Sequence, residues 1–458
     1  MSRKTTVLLF AGTALGACST AFAGDLDLDR AYAAELRADA ANRASLLQPV
    51  GGSGHDDEHG FHIGDGGNNM LSIGGVIQFR YMADFRDGNA VFPGTDNDTT
   101  IGFEVPRVRL IFQGTLNNPN LHYRVDGDFA DNTANAFFFS GGIAGSNTGF
   151  FELHNAWGMY EFEGDGQGWY IQFGQMKAPV LFEEFGVEDW HGIAVERSFM
   201  NEVFTAGYTQ GIAVGYNSDQ FRFIGSINDG VNSPNSTYNT GLANIEADFA
   251  LTGRVDFKFM GDWSQFEDIT SWQNSNNAAR IGGAFHYQHM GDTNPSFAGS
   301  GSTPIEDMFI YTIDGSFEGN GWGVYAAFVG NHFEFQSTTG LSDIDNFGAM
   351  IQANVFLTPQ WELFGRFDAI WADSNLTSAA FFGPLPGADN DFYFLTGGVN
   401  YYFIPESHAA KFTGDVVYSF NDTTLGLATG ALPQAITGFQ GDVSDGEILL
   451  RLQMQLVF

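Results

Sequence analysis

The sequence predicts an all-β fold, a 16-stranded antiparallel transmembrane β-barrel that follows a short N-terminal helical segment. Three observations predict it. Sixteen segments of about 9–14 residues alternate apolar and polar side chains, which is the two-residue period of a strand with one lipid-facing and one water-facing side. The connections between these segments are alternately long and short. The chain begins with a secretory signal, and no later run of 18 apolar residues would form a membrane-spanning helix.

Residues 1–23 have the parts of a secretory signal peptide. Arg3 and Lys4 make a basic start, an apolar run follows, and an Ala-Phe-Ala cleavage site ends at Ala23. Cleavage removes these two positive charges and no acidic residue, so the net charge of −35 becomes about −37. It also removes Cys18, the only cysteine. An alternative is that Leu-Gly-Ala before Cys18 forms a lipobox, in which case Cys18 is lipidated and retained.

Two short segments separate this signal from the predicted barrel. Residues 24–48 are rich in alanine and other good helix formers, so we expect a short helical segment there and leave a coiled coil open. Residues 49–70 are a polar, glycine-rich linker. The linker contains side chains with metal-ligand chemistry, namely His55, Asp56, Asp57, Glu58, His59 and His62. Because nothing in the pattern fixes a ligand geometry, we interpret them as solvated linker residues.

The predicted barrel domain comprises residues 71–458. Its sixteen strands lie near 71–85, 101–113, 120–130, 150–163, 168–177, 209–217, 220–228, 246–260, 279–289, 307–317, 321–335, 346–357, 360–372, 391–403, 410–420 and 446–458. The long connections are 86–100, 131–149, 178–208, 229–245, 290–306, 373–390 and 421–445. The others are mostly tight turns, with 261–278 as an exception. Long loops at one end and short turns at the other are typical of an outer-membrane barrel, whose even strand number places both chain ends on the turn side, the periplasm.

The two faces of each predicted strand differ in character. In the first strand Ile77 and Phe79 fall on the apolar face, and Gln78 and Arg80 on the polar face. Closure of the sheet is required, because an open edge in hydrocarbon leaves backbone N–H and C=O groups unpaired. A soluble β-sandwich also alternates, but it uses shorter strands and two inner faces. The length and number of the strands therefore favour a barrel with its polar face toward the lumen.

The chain ends on a strand of the same kind. From Glu447 to Phe458 every second residue is apolar, so we expect one face toward lipid and the other toward the lumen. The terminal Phe458 resembles the signal that bacterial outer-membrane barrels present to their assembly machinery. A position in the aromatic girdle at the membrane surface also explains it, and the two roles are compatible.

Six stretches within residues 70–335 are distinctive together: "IGGVIQFRYMADF", "PRVRLIFQG", "YIQFGQMKAP", "ERSFMNEVF…GYTQGIAVGY", "SINDGVNS" and "GWGVYAAFVGNHFE". They resemble the phosphate-selective porin O and P family. The resemblance implies a homotrimeric, 16-stranded diffusion channel in the cell outer membrane of a Gram-negative-type bacterium. It also implies that the third long connection, residues 178–208, folds into the lumen as a constriction.

The charged residues leave the selectivity of such a channel open. Cations on the polar strand faces are candidates for the pore lining, namely Arg80, Arg107, Arg109, Arg124, Arg222, Arg254, Lys258, Arg280 and Arg366. Acidic residues share these faces, so wall salt bridges are the alternative. The constriction loop is mostly acidic, and its charged residues are Glu183, Glu184, Glu188, Asp189, Glu196, Arg197 and Glu202. Because carboxylates at the narrowest, least screened point favour cations, we expect weak cation preference or none rather than phosphate selectivity.

We therefore interpret the protein as a porin that lets small hydrophilic solutes and ions diffuse passively, not as an enzyme. The sequence has no G-x-S-x-G, H-E-x-x-H or phosphate-cradling glycine loop. One alternative is an outer-membrane barrel hydrolase that uses His154, Asp189 and His191. Another is a structural or adhesive surface protein held to the cell wall by its N-terminal helix.

The expected partners follow from the charge balance. Only 19 of 458 residues are Lys or Arg, which argues against nucleic acid. Outer-membrane lipid, two further copies of the chain and the barrel assembly machinery are expected instead. No cofactor is expected, apart from Ca²⁺ or Mg²⁺ at the acidic outer loops, since hard cations favour carboxylate oxygens.

Overall fold

A computed structural model describes most of the predicted barrel. The described residues are 54–56, 60–65, 68–87, 98–130, 151–164, 166–233, 247–289, 305–335, 342–375, 390–423, 437–442 and 444–458. The predicted signal peptide, with Cys18, and the predicted helical segment 24–48 lie outside them, as do large parts of most long connections. No helix in the described part of the chain is long and apolar enough to cross a membrane.

Eighteen strands form one antiparallel sheet. They are β1 (Gly54–Asp56), β2 (Gly60–Gly64), β3 (Met70–Phe85), β4 (Thr99–Thr115), β5 (Leu121–Asp128), β6 (Glu152–Glu161), β7 (Gly168–Lys177), β8 (Tyr208–Asn217), β9 (Phe221–Asn228), β10 (Phe249–Met260), β11 (Ala278–His289), β12 (Ile305–Gly319), β13 (Trp322–Phe335), β14 (Ile344–Phe356), β15 (Trp361–Trp371), β16 (Asp391–Tyr402), β17 (Ala410–Ser419) and β18 (Ile448–Val457). Strands β3 to β18 are the sixteen predicted strands. Their ends lie within about three residues of the predicted ones, the usual uncertainty of strand boundaries.

The sheet closes on itself. Each strand from β3 to β17 pairs with the next, and β18 pairs with β3 as far as Val457 opposite Val76. Phe458 extends this seam, because its N–H donates to the Gly75 carbonyl at 3.0 Å and its carbonyl accepts from the Gly75 N–H at 2.8 Å. Its ring lies over Gly75, where a Cβ would come within 2.6 Å of the ring. The predicted closed 16-stranded barrel is confirmed.

The predicted linker, residues 49–70, requires a correction, since it contains β1 and β2. β18 ends near Gly75, so the first residues of β3 have no wall partner from that strand. β2 supplies one, with Phe61 opposite Ile73 and Gly64 opposite Met70, and β1 pairs with β2 in turn. Backbone groups at a sheet edge require partners, and this small hairpin provides them where the closing strand stops.

The predicted faces of the strands are confirmed. On β3 the outward Ile77 and Phe79 are 42% and 48% exposed, whereas the inward Gln78 and Arg80 are at most 1% exposed. Aromatic and branched apolar side chains cover the outer surface on other strands too, as at Phe103, which is 71% exposed. A surface of this kind is suited to lipid, because in water it would be an unusually large exposed apolar patch.

The inner face is less polar than the sequence pattern predicts. Large apolar side chains point inward from β12 to β16, namely Met308, Ile310, Tyr325, Phe333, Met350, Phe364, Phe392 and Phe394. They belong to one buried cluster with apolar residues of the connection 178–208. One side of the barrel interior is therefore a hydrophobic core rather than a wet wall.

The connection 178–208 contains two short helices, α1 (Phe182–Phe185) and α2 (Phe199–Phe204), and a 3-10 turn at Asp189–His191. Every residue of α2 is buried. The ring of Phe199 stacks on Phe394 with centroids 4.0 Å apart. Gly348 on β14 makes room for the helix, since a Cβ there would lie 2.7 Å from the Phe204 ring. Apolar burial therefore holds this connection inside the barrel.

The connection 261–278, the exception among the short turns, also folds inward. It begins with a 3-10 turn at Trp263–Phe266, and Phe266 and Ile269 are buried. The hydroxyl of Ser271 donates to the carbonyl of Gly319. This explains the length of the connection, because it covers part of the opening at the turn side of the barrel.

Candidate functional site

The candidate site is the narrowed lumen around residues 178–208, which we call the constriction segment. β7 and β8 pair from Gly168 opposite Asn217 to Lys177 opposite Tyr208. The segment thus leaves and rejoins the wall at one place, where the Ala178 N–H donates to the Gly207 carbonyl at 2.9 Å. The chain between these points lies inside the barrel, as the family resemblance implies.

Ion pairs join the constriction segment to the arginines of the first strands. Glu196 accepts from Arg107 of β4 at 2.7 Å and also pairs with Arg80 of β3. Asp189 pairs with Arg109 of β4 at 2.8 Å and with Arg197 of its own segment. All six side chains are at most 15% exposed. The wall arginines and the loop carboxylates, which the sequence presents as opposing charges, therefore neutralise each other.

A third set of pairs lies beside them. Arg124 of β5 binds Glu188 at 2.8 Å and also Asp126, its neighbour on the same strand. Lys177, at the end of β7, lies 3.3 Å from the other oxygen of Glu188. Glu188 is 25% exposed, so this pair borders the open part of the lumen.

The remaining predicted constriction residues hold the segment's own shape. Glu183 accepts from the backbone N–H of Ser198 at 3.0 Å and from its hydroxyl, and Ser198 caps α2 by accepting from the Asn201 N–H. Glu184 accepts from the hydroxyl of Thr205. Arg197 donates to the backbone carbonyl of Glu183 at 2.9 Å. The two acids satisfy buried donors, and neither is more than 6% exposed to a passing ion.

Arg366 of β15 holds the same stretch of backbone from the opposite wall. It donates to the carbonyls of Glu196 and Arg197, each at 3.1 Å. Its Nε also lies 3.2 Å from the carboxylate of Asp368 on the same strand. Arg366 therefore positions the constriction segment and is not an exposed pore charge.

Arg254 of β10 and Arg280 of β11 form a second buried cluster. Arg254 shares Asp256 and Asp314 with Arg280, and their N–O distances are 2.7–3.1 Å. The guanidinium of Arg280 lies 3.1 Å from the ring centroid of Phe182 in α1. A cation packed flat on an aromatic ring is favourable, more so when both are desolvated. These two arginines therefore clamp the start of the constriction segment.

Arg222 of β9 and Lys258 of β10 lie apart from the constriction, near the turn side. Lys258 pairs with Asp219 at 3.2 Å. The guanidinium of Arg222 lies over the Trp263 ring, 4.4 Å from its centroid. The predicted pore-lining cations thus divide into constriction, clamp and turn-side groups.

The electrostatics of the constriction segment follow from these pairs. Burial would raise the pKa of the Glu196 carboxyl, but Arg107 and Arg80 lower it to about 2. Burial would also raise the pKa of the Asp189 carboxyl, but Arg197 and Arg109 hold it well below its usual range. Glu202 of α2 differs, because burial and the nearby Glu196 raise its pKa to about 8. At neutral pH the paired acids are ionised and Glu202 is mostly protonated.

Several residues that hold this site were not among the predicted site residues. Asp415 of β17 accepts from the Val195 N–H at 3.1 Å, and Lys411 of the same strand donates to the Gly192 carbonyl at 2.7 Å. The carbonyl of Trp190 accepts from Gln455 of β18 at 3.0 Å. Asp415 and Lys411 occupy polar-face positions of a predicted strand, so the alternation was a usable signal for them. No sequence signal indicates the carbonyl of Trp190.

The residues proposed for a hydrolase do not form a hydrogen-bonded chain within the described residues. Asp189 binds arginines, and His191 faces the carbonyl of Glu267 at 3.3 Å. His154 stacks on the ring of Tyr208 with centroids 4.8 Å apart. The residues that the structure describes also contain no group of three His, Cys, Asp or Glu side chains that could hold a metal ion.

The sequence pattern of a family described as "Phosphate-selective porin O and P" matches residues 76–413. No curated protein matches the chain.

Solved structures share the fold at low identity. An anion-selective porin from Comamonas acidovorans has 12% identity and a TM-score of 0.52, over 85% of this chain and 99% of that one. OprB from Pseudomonas putida has 10% identity and a TM-score of 0.53, over 85% and 94%. OmpF from Salmonella typhi, in complex with daunomycin, has 11% identity and a TM-score of 0.53, over 87% and 100%. At these identities the likeness concerns the fold.

Proposed function

The chain belongs to the phosphate-selective porin O and P family, and from this membership and its lumen geometry we propose that it is a weakly selective channel that does not favour phosphate. It is an outer-membrane porin, a barrel through which small hydrophilic solutes diffuse. The loop side then faces the cell exterior and the turn side the periplasm.

One observation carries the proposed weak selectivity: the arginines of the first strands are bound to carboxylates. Arg80, Arg107, Arg109 and Arg124 each pair with an acid of the constriction segment. A phosphate ion that sought these guanidinium groups would have to displace buried carboxylates already bound to them. Because the displaced carboxylate would be left buried and unpaired, this exchange gains little free energy.

The same pairing limits the cation preference expected from the acidic loop. Among acids bordering the wetter part of the lumen, Glu104 and Glu188 are 23% and 25% exposed, and both are paired with arginines. An ion therefore meets mostly neutral pairs. We expect weak cation preference or none.

A planar bilayer experiment tests this proposal. Single channels under a KCl gradient should show ohmic steps and a reversal potential near zero, displaced slightly toward cations. Added phosphate should not block the KCl current. A reversal potential that shows strong chloride or phosphate preference would contradict the proposal and point to the arginines of β3 to β5 as the selective element.

The remaining proposals concern assembly and chemistry. We propose a homotrimer, as family membership implies, with Phe458 as the residue that the assembly machinery recognises. Its seam position, hydrogen-bonded to Gly75, is compatible with both recognition and closure. No chemical step is proposed, because His154, Asp189 and His191 serve packing and ion pairing rather than a relay.

A further inference from the structure

We propose that a cavity near the turn side, between the constriction segment and connection 261–278, is a binding subsite for small carboxylates with an aromatic or other apolar body. This rests on the proposed channel function, since the solute reaches the cavity through the lumen. The cavity has a volume of about 240 Å³. At roughly 30 Å³ per water molecule, this volume corresponds to about eight non-hydrogen atoms, the scale of a small organic acid.

The walls of the cavity are mostly apolar. Met159, Tyr170 and Ile224 contribute from β6, β7 and β9. Phe185 of α1 closes it on the constriction side, and Trp263 closes it on the turn side. All but Ile224 remain partly exposed, so the cavity communicates with solvent. A solute that leaves the constriction toward the turn side therefore meets an aromatic-lined recess.

Arg222 supplies the polar group of this recess. Its guanidinium carbon lies 4.4 Å from the Trp263 ring centroid, within the range of a cation–π contact. Its Nε is buried and has no hydrogen-bond partner among the described residues. Arg109, Arg124 and Arg366 also have a buried nitrogen without a hydrogen-bond partner, but each of them is ion-paired with an acid. Arg222 has no ion pair among the described residues. Arg222 therefore has an unpaired N–H donor that a ligand can use. The desolvation of this donor is already part of the folded state, so ligand binding does not add it.

Two acids lie near Arg222, and either of them could compete with a ligand for its guanidinium. Asp256 lines the cavity, but its carboxylate binds Arg254 at 2.8 Å and Arg280 at 3.1 Å. Glu267 lies at the edge of the cavity and is exposed to solvent. Among the described residues, neither acid accepts a hydrogen bond from Arg222. A ligand carboxylate would supply the missing acceptor, and the planar guanidinium favours that group because two parallel N–H donors match its two oxygens.

Gln172 and Asn217 also line the cavity. One guanidinium, two amides and mostly apolar walls together define the ligand class. An inorganic anion such as phosphate would leave the apolar walls facing its hydration shell, whereas a neutral aromatic molecule would leave the Nε donor unpaired. A small aromatic carboxylate satisfies both. Ligand pockets of this kind, apolar with a few fixed polar groups, are typical of specific small-molecule sites.

Benzoate is a suitable probe, with acetate and benzamide as comparators that lack the ring or the charge. Benzoate added on the turn side should reduce the single-channel KCl current at lower concentration than either comparator. Arg222→Gln should raise the half-blocking concentration of benzoate about tenfold or more, as expected for loss of a charged hydrogen bond. The unblocked KCl conductance of that variant reports correct assembly.

Lys258→Gln is the matched control. It removes one cation whose Nζ lies 5.5 Å from the same Trp263 ring but is paired with Asp219 and does not line the cavity. It should change the half-blocking concentration less than about twofold, because the acid of its pair, Asp219, is 89% exposed and such pairs are weak. If Arg222→Gln does not assemble, Arg222→Lys keeps the charge without the planar fork and should still weaken block.

Two results would overturn the subsite. One is block by benzoate no stronger than by acetate or benzamide, and the other is equal block of the wild type and the Arg222 variant. A channel that conducts KCl but shows either result refutes the subsite alone, whereas a protein that conducts no KCl refutes the channel itself.

Discussion

Replacing Glu196 with glutamine removes the carboxylate that Arg80 and Arg107 share. Both arginines are then left with weaker partners, since Arg80 keeps Glu104 at 3.0 Å and Arg107 keeps Asp189 at 3.6 Å. The carboxylate of Glu196 is 4% exposed, so solvent screens little of this interaction. We expect the constriction segment to loosen and the lumen to become less cation-preferring.

The magnitude follows from the pKa of Glu196. Burial would raise it, but Arg107 and Arg80 lower the pKa from an ordinary 4.5 to about 2. Since one pH unit corresponds to about 1.4 kcal/mol, the folded segment favours ionised Glu196 by about 3 kcal/mol. Loss of that stabilisation corresponds to about a hundredfold increase in local opening.

Amide hydrogen exchange of the constriction segment measures this opening. Glu196→Gln should accelerate exchange in α2 and the preceding turn by about a hundredfold, while β-strand amides far from the site keep their wild-type rates. The bilayer reversal potential of the variant should also move toward anions, because one negative charge is lost at the constriction.

Glu104→Gln is the matched control. Glu104 accepts from the same Arg80 but is 23% exposed, so an exposed-pair magnitude of about 1 kcal/mol or less applies and exchange should rise less than about fivefold. Equal, small effects of the two variants would refute the idea that buried pairing holds the segment in the lumen.

The pH dependence has a definite sign. Because the folded pKa of Glu196 lies below its unfolded value, the pair stabilises the segment above about pH 4.5, and this contribution is lost as the pH falls toward about 2. Wild-type exchange should therefore quicken across that window. The Glu196→Gln variant should lack that part of the pH dependence.

Three further outcomes are expected. Burial raises the pKa of Glu202 from 4.5 to about 8, so its contribution to stability is present below about pH 4.5 and is lost as the pH rises through 8. The Glu202→Gln variant should therefore have higher thermal stability than the wild type at pH 9 and match it near pH 5. Equal stability of the two proteins at pH 9 would contradict this. Deleting Phe458 removes two seam hydrogen bonds to Gly75, so the fraction of heat-modifiable folded barrel in outer membranes should fall, with Phe458→Tyr as the control that keeps the ring. Removal of Ca²⁺ and Mg²⁺ by a chelator should lower thermal stability and ease extraction, because carboxylates at the loop-side rim, including Asp307, Asp343 and Asp345, repel one another without a bridging cation; no change in either property would exclude such bridging.

The sequence predicted the barrel wall well because alternation is a local property. All sixteen strands were found, and Gln78, Arg80, Arg107 and Arg109 point inward as their polar-face positions indicate. The hairpin of β1 and β2 was missed, since His55 and its neighbours read as a polar linker. Its pairing depends on where β18 stops relative to β3, a register that no local pattern contains.

The sequence named charged residues of the constriction segment and of the wall, but it did not show how they pair. The constriction segment was identified by family resemblance, and its acids and the wall arginines were named. What the sequence could not supply was that Glu196 and Asp189 bind the arginines of β3 and β4, separated from them by about a hundred residues. The sequence suggested that loop acids and wall arginines act on ion selectivity in opposite directions. In the structure they form buried ion pairs with each other.

By itself the sequence determined the fold class, the sixteen wall strands, the faces of the wall and the closing strand at 446–458, because a two-residue period and the need to pair every backbone group in lipid fix them. Only the tertiary structure decided how the lumen is filled. Met308, Phe364 and Phe394 occupy inward positions that local polarity assigns to water, and α2 makes them a core. Arg222 became distinctive only in the folded barrel, where connection 261–278 places Trp263 against it and no acid among the described residues forms an ion pair with it. Such outcomes depend on which distant surfaces meet, and burial free energy is gained only where they do.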